Sequence, residues 1–147
     1  MQQIVSTVAI VYCQGKFLLV RRALDDDIFP GKWQSAGGKV EPGETIEEAV
    51  QRELLEETGV AIGSELRFVM SYAWQKSPSE STRLGIILLA ALPGKNKDVS
   101  ITLDAELCEY GWFTLAEAAK LDTIGRESST GTFAQLQKAS QLLSVEH

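Results

Sequence analysis

Residues 45–59 carry the start and stop signals of a helix, and the side chains on that helix constrain this chain more than any other feature. Thr45 followed by Glu48 forms a capping box, in which each side chain bonds to a backbone N–H at the start of a helix. Gly59 suits the left-handed conformation in which helices commonly end. The spacing predicts a helix over about 46–58, entered from a glycine-rich loop.

Three glutamates on this helix, Glu53, Glu56 and Glu57, fall at positions i, i+3 and i+4, so their carboxylates emerge on one side. On a helical wheel, Glu53 and Glu57 lie within roughly 40° of the centre of the apolar sector. That sector is formed by Ile46, Ala49, Val50 and Leu54. Neighbouring like charges repel, and removing them from water increases the cost. A divalent cation would remove both penalties. The alternative is an exposed acidic helix screened by solvent, and the inward phase argues against it.

Other catalytic machinery lacks its residues. The single histidine is His147, the last residue, and the two cysteines, Cys13 and Cys108, are far apart and read as reduced, buried thiols. A Ser-His-Asp or Cys-His system and a histidine-rich zinc site are therefore excluded. Carboxylates remain as the abundant ligands, and hard oxygen donors favour Mg²⁺ or Mn²⁺.

Length and charge set the class of protein. A chain of 147 residues suits one domain, 1–147. The formal net charge of −6 argues against a nucleic-acid polymer as partner, because such binding normally needs a basic surface. The N-terminus has no leader pattern and no apolar run approaches the length of a membrane span, so we expect a cytoplasmic protein without a membrane partner.

Strands and helices follow one another in an order typical of a mixed architecture. Apolar, β-branched runs predict strands at 4–13 and 16–22 joined by the turn Gln14-Gly15, and further strands at 33–40, 66–74, 83–92, 99–103 and 109–113. A second capping box at Thr114 and Glu117 begins a short helix to about residue 121, and a final helix is predicted at 133–143. Loops are expected at 24–32, 75–82 and 122–131. This order predicts an α+β fold, an α/β/α sandwich with a mixed β-sheet.

The segment 38–60 resembles the signature box of the Nudix hydrolases, and the chain resembles a MutT-like single-domain member of that family. The matching residues are Gly38, Glu44, Arg52, Glu53, Leu54, Glu56, Glu57, Gly59 and Val60. The resemblance implies the Nudix sandwich fold and metal-dependent hydrolysis of a diphosphate bond. The expected substrate is a nucleoside triphosphate, noncanonical or oxidised ones included, with nucleoside monophosphate and pyrophosphate as products. Alternatives are an ADP-ribose or nucleotide-sugar pyrophosphatase and, in another class, a non-catalytic nucleotide-binding sensor.

By similarity, Glu53 and Glu57 would bind the metal directly, and Glu56 would be a further ligand or the base that deprotonates water. The backbone carbonyl of Gly37 or Gly38 is a further expected ligand, since glycine allows close approach to an ion. Glu44 and Arg52 are expected to form a supporting pair that orients the acids, although Arg52 could be a surface charge.

An additional acid outside the box is expected from similar proteins. Asp104, Glu106 and Glu109 are the candidates, and Glu109, shortly before Trp112 and Phe113, is preferred because similar proteins often carry an acid in this region. The alternative is that these acids form a solvated loop.

Substrate contacts are less constrained by the sequence. Arg21 and Arg22 could reach phosphate, and Phe29, Trp33, Tyr72 and Trp74 could stack on a base. Most aromatic residues in strands belong to the core, and among the candidates Phe29 and Trp74, with Arg21 and Arg22, are the preferred substrate contacts. A homodimer is expected by family analogy only.

Overall fold

A computed structural model of the chain describes residues 3–75 and 77–144. Its strands are β1 (Gln3–Cys13), β2 (Lys16–Arg22), β3 (Trp33–Gln34), β4 (Ala36–Lys39), β5 (Arg67–Trp74), β6 (Thr82–Leu92) and β7 (Leu107–Phe113). Its helices are α1 (Ile46–Thr58), α2 (Leu115–Ala118) and α3 (Thr132–Ser144), with a 3₁₀ turn at Asn96–Asp98. His147 lies outside the described residues.

The strands form one seven-stranded mixed sheet, in the order β3-β2-β1-β6-β5, with β4 paired to β1 and β7 paired to β2. The β1–β6 pair is parallel and the other pairs are antiparallel. The predicted hairpin turn is confirmed, because Gln14 and Gly15 both adopt positive φ, 53° and 81°, as a tight two-residue turn requires.

Two core clusters lie on opposite faces of the sheet. On one face Val50 and Leu54 of α1 pack over the sheet. On the other face Ala118 of α2 and Leu136 and Ala139 of α3 cover it. The expected α+β sandwich with a mixed sheet covered on both faces is therefore confirmed. No helix in the described part of the chain has the length and apolar character to cross a membrane.

Three sequence predictions need correction. The strand expected at 33–40 is two strands, because β3 pairs with β2 while β4 pairs with β1, and the chain crosses between these neighbours at Ser35. The strand expected at 99–103 is an irregular extended segment. Cys13 is buried as expected, but Cys108 is exposed.

Candidate metal and nucleotide site

Helix α1 carries the acids and is fixed at both of its ends. The capping box of Thr45 and Glu48 is present at its start, and Gly59 ends it with φ 73°. The buried residues of the helix are Ala49, Val50, Leu54 and Thr58. Glu53 flanks this face with 16% of its side chain exposed, whereas 58% of the Glu56 side chain is exposed. Glu53 and the half-buried Glu57 therefore point inward, as the helical wheel predicted.

Two consecutive glycines of β4 lie against these acids. A Cβ atom on Gly38 would stand 2.5 Å from Oε2 and 2.6 Å from Oε1 of Glu53, so only a glycine leaves room for that carboxylate. The backbone N–H of Gly37 donates to Oε1 of Glu57 at 3.3 Å. Helix α1 and strand β4 thus hold the carboxylates of Glu53 and Glu57 close to the β4 backbone.

These residues border a cavity of about 330 Å³, here called the acid cavity. Besides two glycines and one leucine, its lining consists of carboxylates. The lining residues are Gly37, Gly38, Glu53, Glu56, Glu57, Asp104, Glu106 and Leu107. A concave site with five acids and no basic residue in its lining is suited to a cation.

Asp104 and Glu106 of the lining belong to residues 99–106, here called the strap. The sequence predicted part of this segment, 99–103, as a strand. Its apolar residues Val99, Ile101 and Leu103 pack against the core below α1. Its backbone, however, bonds to a helix end: the N–H of Thr102 donates to the carbonyl of Thr58 at 2.8 Å, and that of Asp104 donates to the carbonyl of Glu57 at 2.9 Å. The strap therefore satisfies carbonyls that a helix end leaves unpaired.

The charge of the acid cavity is uncompensated around Glu57. Burial, as the largest cause, together with the nearby Glu53, Asp104 and Glu106 raises the pKa of the Glu57 carboxyl from 4.5 to about 8, against the opposing hydrogen bond from the Gly37 N–H. A group in this environment resists ionisation unless a positive charge is supplied. This buried excess of negative charge fits the binding of a hard cation.

Arg52 forms the supporting pair that the sequence predicted. Its Nε and Nη2 donate to the two carboxylate oxygens of Glu44 at 2.7 and 2.9 Å, a bidentate pair. These hydrogen bonds are the main cause that lowers the pKa of Glu44 to about 2. The pairing itself is confirmed, while its effect on activity stays a prediction.

The cavity has a suitable set of ligands but not yet their final arrangement. Within residues 3–75 and 77–144, no three acidic, cysteine or histidine side chains form a group that could already hold a metal ion. In the same region Arg52 Nη1 donates to Glu53 and Glu56, at 2.9 and 3.3 Å. The oxygen donors fit Mg²⁺ or Mn²⁺, and the roles of Glu53, Glu56, Glu57 and the Gly37 carbonyl as ligands stay predictions.

Glu109, the acid preferred from the sequence outside the box, is not brought to the acid cavity. It lies on β7 opposite Arg21 of β2, whose Nη1 donates to its Oε1 at 3.3 Å. Asp104 and Glu106, the alternative candidates, line the cavity instead. The strap delivers these two residues through its bonds to α1, a contact between distant segments that local sequence does not indicate.

Arg21 and Arg22, the expected phosphate contacts, both bond to the loop 24–32. Arg21 Nε donates to the carbonyl of Gly31 at 2.9 Å. Arg22 Nε donates to the carbonyl of Ile28 at 2.6 Å, and its Nη2 pairs with Asp26 at 2.8 Å. Both arginines therefore shape the loop, and contact with phosphate stays a prediction for them.

The four candidate aromatic residues divide into core and surface. Trp33 is buried and Tyr72 is half-buried, and both pack in the core on the α3 side of the sheet. Phe29 is exposed on the loop 24–32 and has a left-handed φ of 48°. Trp74 is 54% exposed and lines a second cavity. The structure thus leaves Phe29 and Trp74, the two preferred residues, accessible to a ligand.

The second cavity, of about 470 Å³, is here called the Trp74 cavity. Its lining is formed by Ile4, Trp74, Ser79, Glu80, Ser81 and Arg83. Sequence reasoning missed Arg83 and Glu80. The available signal was a basic residue at the start of the apolar run of β6, next to the loop expected at 75–82.

One residue of the Trp74 cavity bonds to β1. Arg83 Nη1 donates to the hydroxyl of Ser6 at 3.2 Å. Ser6 lies opposite Lys39 in the pairing of β1 with β4, and the next residue, Thr7, lies opposite Gly38 of the acid cavity.

Comparison with known proteins gives consistent matches. A sequence profile of the NUDIX domain matches residues 2–133. The nucleoside triphosphatase NudI of Enterobacter sp. (strain 638) is 33% identical over 134 residues, covering 86% of this chain and 91% of that protein. The crystal structure of the MutT protein from Methanosarcina mazei Go1 has a TM-score of 0.71 at 26% identity, covering 95% of this chain and 96% of its own. The NUDIX domain of Shewanella oneidensis NrtR, solved with ADP ribose, has a TM-score of 0.73 at 20% identity, covering 97% and 90%, a likeness of fold alone.

Proposed function

The chain belongs to the Nudix family and is a Nudix pyrophosphohydrolase, and on this premise we propose that it hydrolyses a nucleoside triphosphate to nucleoside monophosphate and pyrophosphate. The observation that carries this proposal is the acid cavity, in which five carboxylates converge without a basic residue in the lining. A triphosphate is recognised at such a site through bound cations, because its own negative charge would otherwise be repelled.

The choice of substrate class is supported by the relative that matches most of the chain. That relative, a nucleoside triphosphatase, is matched over 91% of its length. The Trp74 cavity offers an exposed indole for stacking and the Arg83 guanidinium for hydrogen bonds, which suits the base end of a nucleotide.

Divalent cations, Mg²⁺ or Mn²⁺, would neutralise charge on the phosphate oxygens and make water a competent nucleophile near neutral pH. Glu53 and Glu57 are the residues that would hold and orient them, from positions fixed by Gly38 and the Gly37 N–H. Water adds to a phosphorus atom of the α–β bridge, the bridging oxygen leaves with the other phosphorus, and a carboxylate accepts the proton from water. Glu56, the exposed member of the group, is open to solvent from which that water comes.

The test is a hydrolysis panel in Mg²⁺ or Mn²⁺, with both products identified by chromatography. It includes ordinary and oxidised nucleoside triphosphates, ADP-ribose and nucleotide sugars, with Glu53→Gln as the inactive control. Pyrophosphate release from a triphosphate, abolished in the variant, supports the proposal. Turnover confined to ADP-ribose or a nucleotide sugar, with release of a sugar phosphate, contradicts it, as does a folded, metal-binding protein that hydrolyses no member of the panel.

A further inference from the structure

Every N–H group of the Arg52 guanidinium has an acceptor. Nε donates to Glu44 at 2.7 Å, and Nη2 donates to Glu44 at 2.9 Å and to the carbonyl of Lys39 at 3.0 Å. Nη1 donates to Glu53 at 2.9 Å and to Glu56 at 3.3 Å. Arginine has five N–H donors, so its hydrogen-bonding capacity is completely used.

These five bonds divide into two groups with different partners. The Nε and Nη2 side faces Glu44 and the Lys39 carbonyl, neither of which lines the acid cavity. The Nη1 side faces Glu53 and Glu56, both of which line it. The Nε–Nη2 edge of the guanidinium is thus bonded to groups outside the cavity lining. Its Nη1 end is bonded to two carboxylates that a cation would need as ligands.

We propose that Arg52 is the resident counter-ion of the acid cavity, and that a divalent cation binds by displacing Arg52 Nη1 from Glu53 and Glu56 while the Nε–Nη2 edge stays on Glu44. This inference rests on the proposed metal-dependent function. It goes beyond a supporting role for Arg52, because it makes the residue a competitor of the cation as well as a clamp for Glu44.

The distribution of ion pairs favours competition at one side of the cavity. Arg52 pairs with Glu53 and Glu56, whereas within residues 3–75 and 77–144 no ion pair involves Glu57, Asp104 or Glu106. On the strap side a cation therefore meets carboxylates that have no cationic partner, and on the Arg52 side it must replace one.

Competition between Arg52 and the cation predicts the opposite change of Mg²⁺ affinity in Arg52→Gln from the change that a purely structural role predicts. In Arg52→Gln the positive charge and the Nη1 bonds are lost, so Mg²⁺ should bind more tightly, roughly three- to tenfold for the loss of charge-assisted bonds. Turnover should nevertheless fall, because Glu53 is no longer oriented. In Glu44→Gln the arginine keeps its charge but loses its countercharge, so Mg²⁺ should bind more weakly. If Arg52 and Glu44 acted only as a scaffold, both substitutions would weaken binding.

The experiment is calorimetric titration of the full chain with Mg²⁺ at one fixed pH. Lys97→Gln removes one positive charge, as Arg52→Gln does, but at an exposed residue of the 3₁₀ turn. It is the matched control and should leave the Mg²⁺ affinity unchanged. Circular dichroism establishes that each variant is folded. A folded Arg52→Gln protein that binds Mg²⁺ with unchanged or weaker affinity overturns the inference. A wild-type protein that binds no Mg²⁺ instead overturns the proposed metal-dependent function.

A second measurement needs no variant. Nitrogen-15 spectra of the arginine side chains, recorded during a Mg²⁺ titration of the wild-type protein, separate the two edges of Arg52. The Nη1 signals should shift on binding while the Nε–H signal, bonded to Glu44, should stay in place. Signals of both edges that move together, or an Nη1 signal that does not move in a protein that binds Mg²⁺, would contradict displacement.

Discussion

Replacement of Gly38 by alanine should strongly reduce activity without unfolding the protein. The added Cβ would lie 2.5 Å from Glu53 Oε2, whereas ordinary contacts begin near 3.4 Å, so the carboxylate must withdraw by about 0.9 Å. A misplacement of about 1 Å at a reacting centre costs on the order of 100-fold in rate. We therefore expect a fall in kcat of about that size.

The stability of the Gly38→Ala protein should change little. The atoms in the way belong to the end of a flexible side chain, and moving them off a preferred rotamer costs about 0.5–1.5 kcal/mol. Loss of chain entropy in the unfolded state offsets this by about 0.4–1 kcal/mol, since the φ of Gly38 is outside the left-handed region. The melting temperature should move by no more than about 4 °C.

Two neighbouring substitutions sharpen this prediction. In Gly37→Ala the new Cβ would meet the Thr7 carbonyl oxygen and stand 2.8 Å from the Val8 Cα, backbone atoms of β1 that cannot yield. That variant should lose about 3 kcal/mol or more of stability. Gly63→Ala meets nothing within 4 Å and is the control for both effects.

The assay is steady-state hydrolysis of a nucleoside triphosphate together with thermal denaturation of each variant. A Gly38→Ala protein with wild-type kcat would refute the claim that the position of the Glu53 carboxylate limits turnover. A Gly38→Ala protein that is as unstable as Gly37→Ala would refute the claim that the side chain of Glu53 yields.

Three further predictions concern the charge and the two cavities. Because the pKa of Glu57 rises from 4.5 to about 8 on folding, the folded state binds more protons than the unfolded state between these pH values, so stability in EDTA should fall as pH rises through this window. Over the same pH range the melting temperature of Glu57→Gln should fall less than that of the wild type, and equal falls would contradict this. Trp74→Ala should raise KM at least about fivefold through lost stacking, while Phe68→Ala, an equally exposed aromatic on β5 that does not line the cavity, should leave KM unchanged in the same assay. Asp104→Asn should weaken calorimetric Mg²⁺ binding and Glu109→Gln should not, and the reverse order would restore Glu109 as the ligand.

The elements with local signals were predicted correctly. Helix α1 has the predicted limits because its capping box and its final glycine are contained in one short segment. The inward direction of Glu53 and Glu57 follows from helical periodicity for the same reason. The hairpin of β1 and β2 likewise depends on two turn residues that adopt positive φ. Each of these features is determined by residues close together in the chain.

Features that depend on distant partners were not predictable in the same way. The alternation of Val99, Ile101 and Leu103 is the same whether the segment pairs with a strand or with a helix end, and only the folded chain shows that it caps α1. The choice of Asp104 over Glu109 as a cavity residue follows from that contact. Nothing in the local sequence indicated that Arg21 and Arg22 of β2 would bond to the loop 24–32.

The attachment of the strap to α1 makes the integrity of the site measurable through amide hydrogen exchange. Thr102 is a surface residue, and its amide is shielded by its bond to the Thr58 carbonyl, as the Asp104 amide is by its bond to the Glu57 carbonyl. Detachment of the strap would expose both amides and would at the same time withdraw Asp104 and Glu106 from the acid cavity. Deuterium uptake at these two amides therefore reports how often the strap detaches from α1, and the measurement needs neither substrate nor metal.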